Sequence, residues 1–299
     1  MTAQVVVLFA LSVLSARAAT DDALSARDWA SIIGQRYEAI RDIPYKKVGG
    51  FEATVDVYTR YDRKPGPTMV YIHGGGWANG TKEQYVLWFL PYLQLGMRVV
   101  SVRYRLSGVA PAPAAVEDCR CALYWVFQNA AKYGFDKDKI ALTGGSAGGH
   151  LVLMTGFLRP GDGFDSDCSG PAPGPVKAIV DYYGPTDLVR GFDTTPGLQK
   201  WMGANASNAL AKRLSPLTWI RAGGPPVLII HGDADEMVSY QDSVSLRDAL
   251  TGAGVPNELV SVPGGKHGRF RWSDEDTIRV QRRIESFLSS RGLTETKHP

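Results

Sequence analysis

The sequence predicts an α/β architecture, a mostly parallel central sheet with helices on both faces, and three observations carry that prediction. Short continuous apolar runs such as Met69 to Ile72 and Val227 to Ile230 read as strands buried on both sides. Segments with helical spacing separate them, as in Ala114 to Tyr133, where Val116, Cys119, Leu123, Val126 and Ala130 fall near one face. Glycine-rich stretches then follow several of the strands, as connections from strand to helix require.

Taken in order, Asp28 to Arg41 reads as a helix and Phe51 to Thr59 alternates as a strand. Met69 to Ile72 is a short buried strand. Tyr85 to Leu95 is a helix closed by Gly96, and Arg98 to Tyr104 is the next strand. The helix from Ala114 stops at Gly134. Ile140 to Leu142 is a strand running into glycines, and a helical pattern resumes at Leu151. Strand Val176 to Tyr183 precedes an irregular region, Gly184 to Gly224, rich in Gly and Pro. Strand Val227 to Ile230, helix Tyr240 to Leu250 and strand Glu258 to Val262 follow. The last helix starts at Ser273, with Asp276 three residues on as a capping partner, and Val280, Ile284, Phe287 and Leu288 form its apolar face. No linker divides the chain, so residues 19–299 are read as one domain.

Hydrophobic residues at 44% and charged ones at 21% suit a sizeable core under a mixed-charge surface. A net charge of +3 in 299 residues gives no footprint for nucleic acid. Val5 to Leu14 is almost purely apolar and is followed by Ala16-Arg17-Ala18, so residues 1–18 read as a secretory signal. The expectation is a secreted or periplasmic protein without stable membrane association after processing. An apolar N-terminal helix or a membrane anchor is the other reading, since no Lys or Arg precedes the run.

The chain is organised around Thr143-Gly144-Gly145-Ser146-Ala147-Gly148-Gly149-His150. Gly144 and Gly148 flank Ser146 in GxSxG spacing, the pattern of a nucleophile elbow, in which a strained turn exposes the serine and its neighbours crowd close. A Gly-rich turn with a bystander serine, or a phosphate cradle, is the plainer alternative. His73-Gly74-Gly75-Gly76-Trp77 follows another strand, and its glycines let backbone N–H groups converge on an oxyanion. The donors assigned to that role are the amides of Gly75, Gly76 and Ala147.

Two further loops complete the set. His231-Gly232-Asp233-Ala234-Asp235 follows a late strand, and Asp235, farther from the strand end, is chosen as orienting acid over Asp233, a turn residue bonding its own backbone. Of the five histidines, His267 in Pro263-Gly264-Gly265-Lys266-His267-Gly268 lies on a flexible loop downstream of that acid. His150 reads as structural, His73 and His231 as loop fasteners, and His298 as part of a polar tail. No histidine spacing or cysteine pattern supports a metal site, and no organic cofactor is called for. The order Ser146, Asp235, His267, each after a strand, is the order of α/β hydrolases and not of chymotrypsin-like or subtilisin-like proteases.

With HGGGW at 73–77, Tyr104-Arg105-Leu106, GGSAGGH at 144–150, HGDAD at 231–235 and GKHG at 265–268, the chain resembles the hormone-sensitive-lipase-like esterases from about Ile43 to Leu288. Within them it is most similar to the secreted branch related to bifunctional acetyl/feruloyl esterases. The resemblance implies Ser146 as nucleophile, Asp235 as acid, His267 as base, and hydrolysis of small or medium esters, among them acetyl or hydroxycinnamoyl esters of plant polysaccharide. An amide hydrolase on the same triad and a non-catalytic binding module are the rival readings.

Trp77, Tyr183 and Met237 are assigned to substrate binding on position, with Trp77 alternatively packing its own loop. Cys119 and Cys121 point in different directions from one helix, so at most one can face Cys168. A bond needs the loop Pro160 to Pro175 to climb back until the Cα atoms lie within about 7 Å. Asn79-Gly80-Thr81 and Asn205-Ala206-Ser207 are glycosylation acceptors in form only.

Overall fold

The structure is a computed structural model that describes residues 26–193 and 197–295. Its strands are β1 (Tyr37–Val48), β2 (Phe51–Arg60), β3 (Gly66–Ile72), β4 (Arg98–Val102), β5 (Phe135–Gly145), β6 (Ala178–Tyr182), β7 (Val227–Gly232) and β8 (Asn257–Val262). They form one sheet in the order β1-β2-β4-β3-β5-β6-β7-β8. The pairs β1·β2 and β2·β4 are antiparallel and the rest parallel. The helices are α1 (Ala26–Arg36), α2 (Leu90–Gln94), α3 (Ala114–Gln128), α4 (Ala130–Tyr133), α5 (Ala147–Phe157), α6 (Leu198–Met202), α7 (Asn208–Leu214), α8 (Tyr240–Gly252) and α9 (Asp274–Ser289).

Because successive strand side chains point to opposite faces, β3 feeds two cores. Val70 and Ile72 join Val116 and Leu123 of α3, Leu151 and Val152 of α5, and Leu246 of α8 on one side. Met69 and Tyr71 join Tyr92 of α2 and Val280, Ile284 and Phe287 of α9 on the other. Helices therefore cover both faces, as expected. The cap of α9 also has the expected form: Ser273 Oγ accepts from the Asp276 N–H at 3.1 Å and donates to its carboxylate at 2.7 Å.

Three element readings are corrected. The helical reading of Asp28 to Arg41 ends early, since α1 stops at Arg36 and Tyr37 opens β1. Register shifts between Ile40 and Ile43 and between Pro44 and Lys46 break the alternation of β1, which hides its period of two. Tyr85 to Leu95 divides into a 3-10 turn, Val86–Phe89, and α2, because Pro91 near the start of α2 has no N–H to continue a longer helix. The helix from Ala114 pauses at Asn129, whose side-chain amide bonds the Trp125 carbonyl at 2.9 Å, before α4 ends at Gly134 with φ of 69°.

The cysteine alternative is settled as Cys121–Cys168, with Cα atoms 4.7 Å apart, while Cys119 is buried and unbonded. The loop after α5 does climb back. Asp165 accepts from Arg120 at 3.1 Å and from the Tyr124 hydroxyl at 2.9 Å, which brings Cys168 to α3. The signal-sequence reading of residues 1–18 falls outside the described residues. Among the described residues no helix is long and apolar enough to cross a membrane.

Candidate active site

Ser146 stands between the end of β5 and the start of α5 with φ 58° and ψ −125°, a backbone conformation that non-glycine residues rarely adopt. Its N–H donates to the Tyr182 carbonyl at 2.9 Å. The flanking glycines are needed for clearance: a Cβ on Gly148 would lie 2.2 Å from the Ile72 carbonyl oxygen, and one on Gly144 would lie 2.6 Å from the same atom. The elbow is thereby pressed against the end of β3, from which the 73–77 loop departs.

That loop touches the elbow directly, since a Cβ on Gly74 would meet the Gly145 carbonyl at 2.6 Å and Ser146 Cβ at 3.5 Å. Gly75 and Gly76 take φ of 113° and 59°. The Gly75 carbonyl accepts from Ala78 and Asn79, but the amides of Gly75 and Gly76 donate to no protein acceptor among the described residues. Ala147 opens α5, so its N–H is also without an intrahelical acceptor. Three amides are thus available beside one hydroxyl.

Asp235 and His267 come from the loops after β7 and β8, and these loops are stitched together. Asp233 donates its N–H to Val262 O, Ala234 donates to Gly265 O, and the Asp233 carboxylate accepts from the Gly264 N–H at 2.6 Å. Asp233 therefore ties the two loops to each other, a different task from the self-bonding turn expected of it. His267 Nδ1 lies 2.7 Å from Asp235 Oδ2, and its Nε2 lies 3.0 Å from Ser146 Oγ. The chain thus brings residues 146, 235 and 267 into one hydrogen-bonded line.

The Asp235 side chain is fully buried. Burial alone would raise its carboxyl, but hydrogen bonds from His231, His267 and the Val238 N–H outweigh that and hold it well below the usual carboxylate range. It is accordingly an anion, able to keep the His267 proton on Nδ1 and to leave Nε2 free to accept.

His150 and His73 are fasteners. His150 accepts from Trp77 Nε1 at 3.2 Å and donates from Nε2 to Leu214 O at 2.8 Å, and burial pushes it down to about 4. His73 stacks on Tyr104 with centroids 4.4 Å apart and is likewise pushed down to about 4 by burial. Both are neutral at ordinary pH.

Of the residues assigned to substrate binding, two are repositioned. Trp77 is 2% exposed and stacks on Trp201 with centroids 4.4 Å apart and planes 9° apart. It packs the glycine loop down onto α5 and α6 and does not wall an open pocket. Tyr183, 3% exposed with φ 41°, lies under the imidazole of His267 at 4.8 Å and is not at the rim. Met237 is 58% exposed beside Asp235, and its N–H donates to that carboxylate at 2.8 Å. Phe270, a large apolar side chain 81% exposed just after the histidine loop, is not distinguished by anything in its spacing in the sequence.

Residues 55–250 match the BD-FAE family model, a span that includes Ser146 and Asp235 and stops short of His267. The esterase LipQ of Mycobacterium tuberculosis is 32% identical over 252 residues, 78% of this chain and 58% of LipQ, so the chain spans little more than half the length of that relative. Among solved structures, the apo form of Thermogutta terrifontis esterase 2 superposes with a TM-score of 0.75 at 28% identity, covering 87% of this chain and 97% of that one. A truncated carbohydrate esterase from gut microbiota superposes with a TM-score of 0.72 at 27% identity, covering 86% and 97%. By these matches and by its sheet order, the chain belongs to the BD-FAE family of hormone-sensitive-lipase-like esterases with the α/β-hydrolase fold.

Proposed function

We propose that this protein is a serine carboxylic-ester hydrolase that works through an acyl-enzyme on small or medium esters. The observation that carries the reading is the line from Ser146 Oγ to His267 Nε2 at 3.0 Å and from His267 Nδ1 to Asp235 at 2.7 Å, beside the unengaged amides of Gly75 and Gly76. His267 Nε2 takes the Ser146 proton as Oγ attacks the ester carbonyl. The carbonyl oxygen, now an anion, is met by the amides of Gly75, Gly76 and Ala147, where losing one donor costs on the order of 100- to 1000-fold in rate. The same imidazole hands its proton to the departing alcohol. It then draws a proton from the water that releases the acid.

The finer reading is an acetyl or feruloyl ester carried on plant polysaccharide. Its support is the motif resemblance of residues 73–77, 144–150, 231–235 and 265–268, the gut carbohydrate esterase among the structural relatives, and the esterase 2 structures described as propionate bound and butyrate bound. Secretion or export to a periplasm is part of the same proposal. It is supported by the apolar run Val5 to Leu14 and by the Cys121–Cys168 bond, since disulfides persist mainly in oxidising compartments.

The test is a panel of acetyl, butyryl, longer acyl and feruloyl esters with a matched amide. Turnover of the short or feruloyl esters with little on the amide is expected. Equal or faster amide cleavage would move the reading to an amidase, and no turnover of any substrate would leave a binding module.

A further inference from the structure

We propose that Arg269 is a positioning residue, which holds the loop bearing His267 at a fixed height over Ser146 by clamping it to Tyr182 and Trp88. The inference rests on the esterase reading above and assigns a residue that no motif marks.

The loop carrying the base has little stiffness of its own. Gly264, Gly265 and Gly268 lie within four positions of His267, and Gly264 and Gly268 take φ of 65° and 93°. The ties that Asp233 and Ala234 make from the loop after β7 reach only as far as Gly264 and Gly265, so beyond them side chains have to fix it. From one side, the Trp272 indole N–H donates to Lys266 O at 3.0 Å. From the other, Arg269 Nη1 donates to the Tyr182 hydroxyl at 2.9 Å. The guanidinium carbon lies 4.0 Å from the Trp88 ring centroid and 5.0 Å from that of Tyr182.

Tyr182 makes this clamp specific. Its carbonyl accepts the Ser146 N–H at 2.9 Å, so one residue grips the nucleophile by its backbone and the histidine loop by its side chain. The distance between base and nucleophile is then set across a single residue at the end of β6. Stability alone gives a poor account of such a clamp. Among the described residues no carboxylate pairs with Arg269, and its Nε is buried without a hydrogen-bond partner. Withdrawing a guanidinium from water with so few partners costs stability, whereas a held geometry gains rate.

The experiment compares steady-state hydrolysis of a short-chain nitrophenyl ester, and the rate of fluorophosphonate labelling, for the wild type, Arg269→Ala, Arg269→Lys, Tyr182→Phe and the Arg269→Ala/Tyr182→Phe pair. For Arg269→Ala, kcat and labelling should fall about tenfold with KM within about twofold. Tyr182→Phe, which keeps the ring and the carbonyl, should fall in the same direction by less, and Arg269→Lys should recover part of the loss. The pair should be no slower than Arg269→Ala alone, because both changes cut one contact.

Wild-type kcat in folded Arg269→Ala, a change confined to KM, or fully additive losses in the pair would overturn the inference. If Arg269→Ala does not fold, Tyr182→Phe and Arg269→Lys decide, and wild-type kcat in both overturns it. A wild type that neither labels nor turns over an ester overturns the esterase reading together with this one.

Discussion

His231 Nε2 stands 3.3 Å from Asp235 Oδ2, the same oxygen that His267 reaches at 2.7 Å. Because Val238 O lies 3.1 Å from the same nitrogen, His231 carries its proton on Nε2 and shares it between two acceptors. Ser243 Oγ, 2.7 Å from Nδ1, supplies the matching donor. The motif histidine ahead of Asp235 is therefore a second donor to its carboxylate.

Removing that donor should be felt in rate and in acid stability. Asp235 is held below its ordinary 3.8, so its contribution to stability is full above about pH 4 and is lost as the pH falls further. In His231→Phe the carboxyl relaxes upward, and the acid-unfolding midpoint should move to higher pH while kcat falls about tenfold. Acid titration followed by circular dichroism, with kinetics near neutrality, checks both. An unmoved midpoint would assign the carboxylate's support to other groups.

Asp181 gives a pH dependence of opposite sign. Burial, reinforced by the charge of Asp242, pushes its carboxyl up to about 7, against the pull of the Gly184 N–H. A raised carboxyl favours the fold below its ordinary 3.8, and that advantage is lost as pH rises through about 7. Asp181→Asn keeps the shape without the charge. Its Tm should exceed the wild-type value at about pH 8 and lose that advantage at about pH 5, and the same shift at both would contradict the linkage.

Trp77 holds the glycine loop by packing against Trp201 and His150. Trp77→Ala should cost roughly 3–5 kcal/mol in denaturant unfolding, as large aromatic deletions from cores do. If Trp77 instead touched substrate, the substitution would change KM with little loss of stability.

Met237 and Phe270 are exposed large apolar side chains, one next to Asp235 and the other just after His267, and the proposed mechanism predicts that they border the departing alcohol. Phe270 folds back on the histidine loop, since a Cβ on Gly268 would meet its ring at 2.4 Å. In Phe270→Ala or Met237→Ala, kcat/KM for benzyl acetate should fall several-fold, by about 1 kcal/mol of lost apolar contact, with ethyl acetate unchanged. Equal losses on both esters would remove these residues from the alcohol side.

The hydrogen-bonded line of Ser146, His267 and Asp235 was legible because each member follows a strand end and sits in a glycine-marked loop whose spacing reflects steric need. Gly144 and Gly148 are glycine because the Ile72 carbonyl leaves no room for a side chain. Adjacency to a residue of that line, by contrast, does not tell where a side chain goes. Trp77 and Tyr183 both have positive φ and lead their rings into the core, and Trp201, which receives Trp77, comes from a region without a periodic pattern. The cysteine pairing was beyond sequence for a similar reason. Cys119 and Cys121 differ only in rotation about α3, and which one meets Cys168 depends on how Asp165 anchors the returning loop. Strand β1 was hidden by its bulges.

In the proposed mechanism Ser146 is a nucleophile activated by His267. Intact-mass spectrometry after treatment with a fluorophosphonate should find one adduct on the wild type, mapped to Ser146, with no adduct on Ser146→Ala and labelling slowed by about a thousandfold or more on His267→Ala. An adduct that survives Ser146→Ala, or a folded wild type that never labels, would contradict the account.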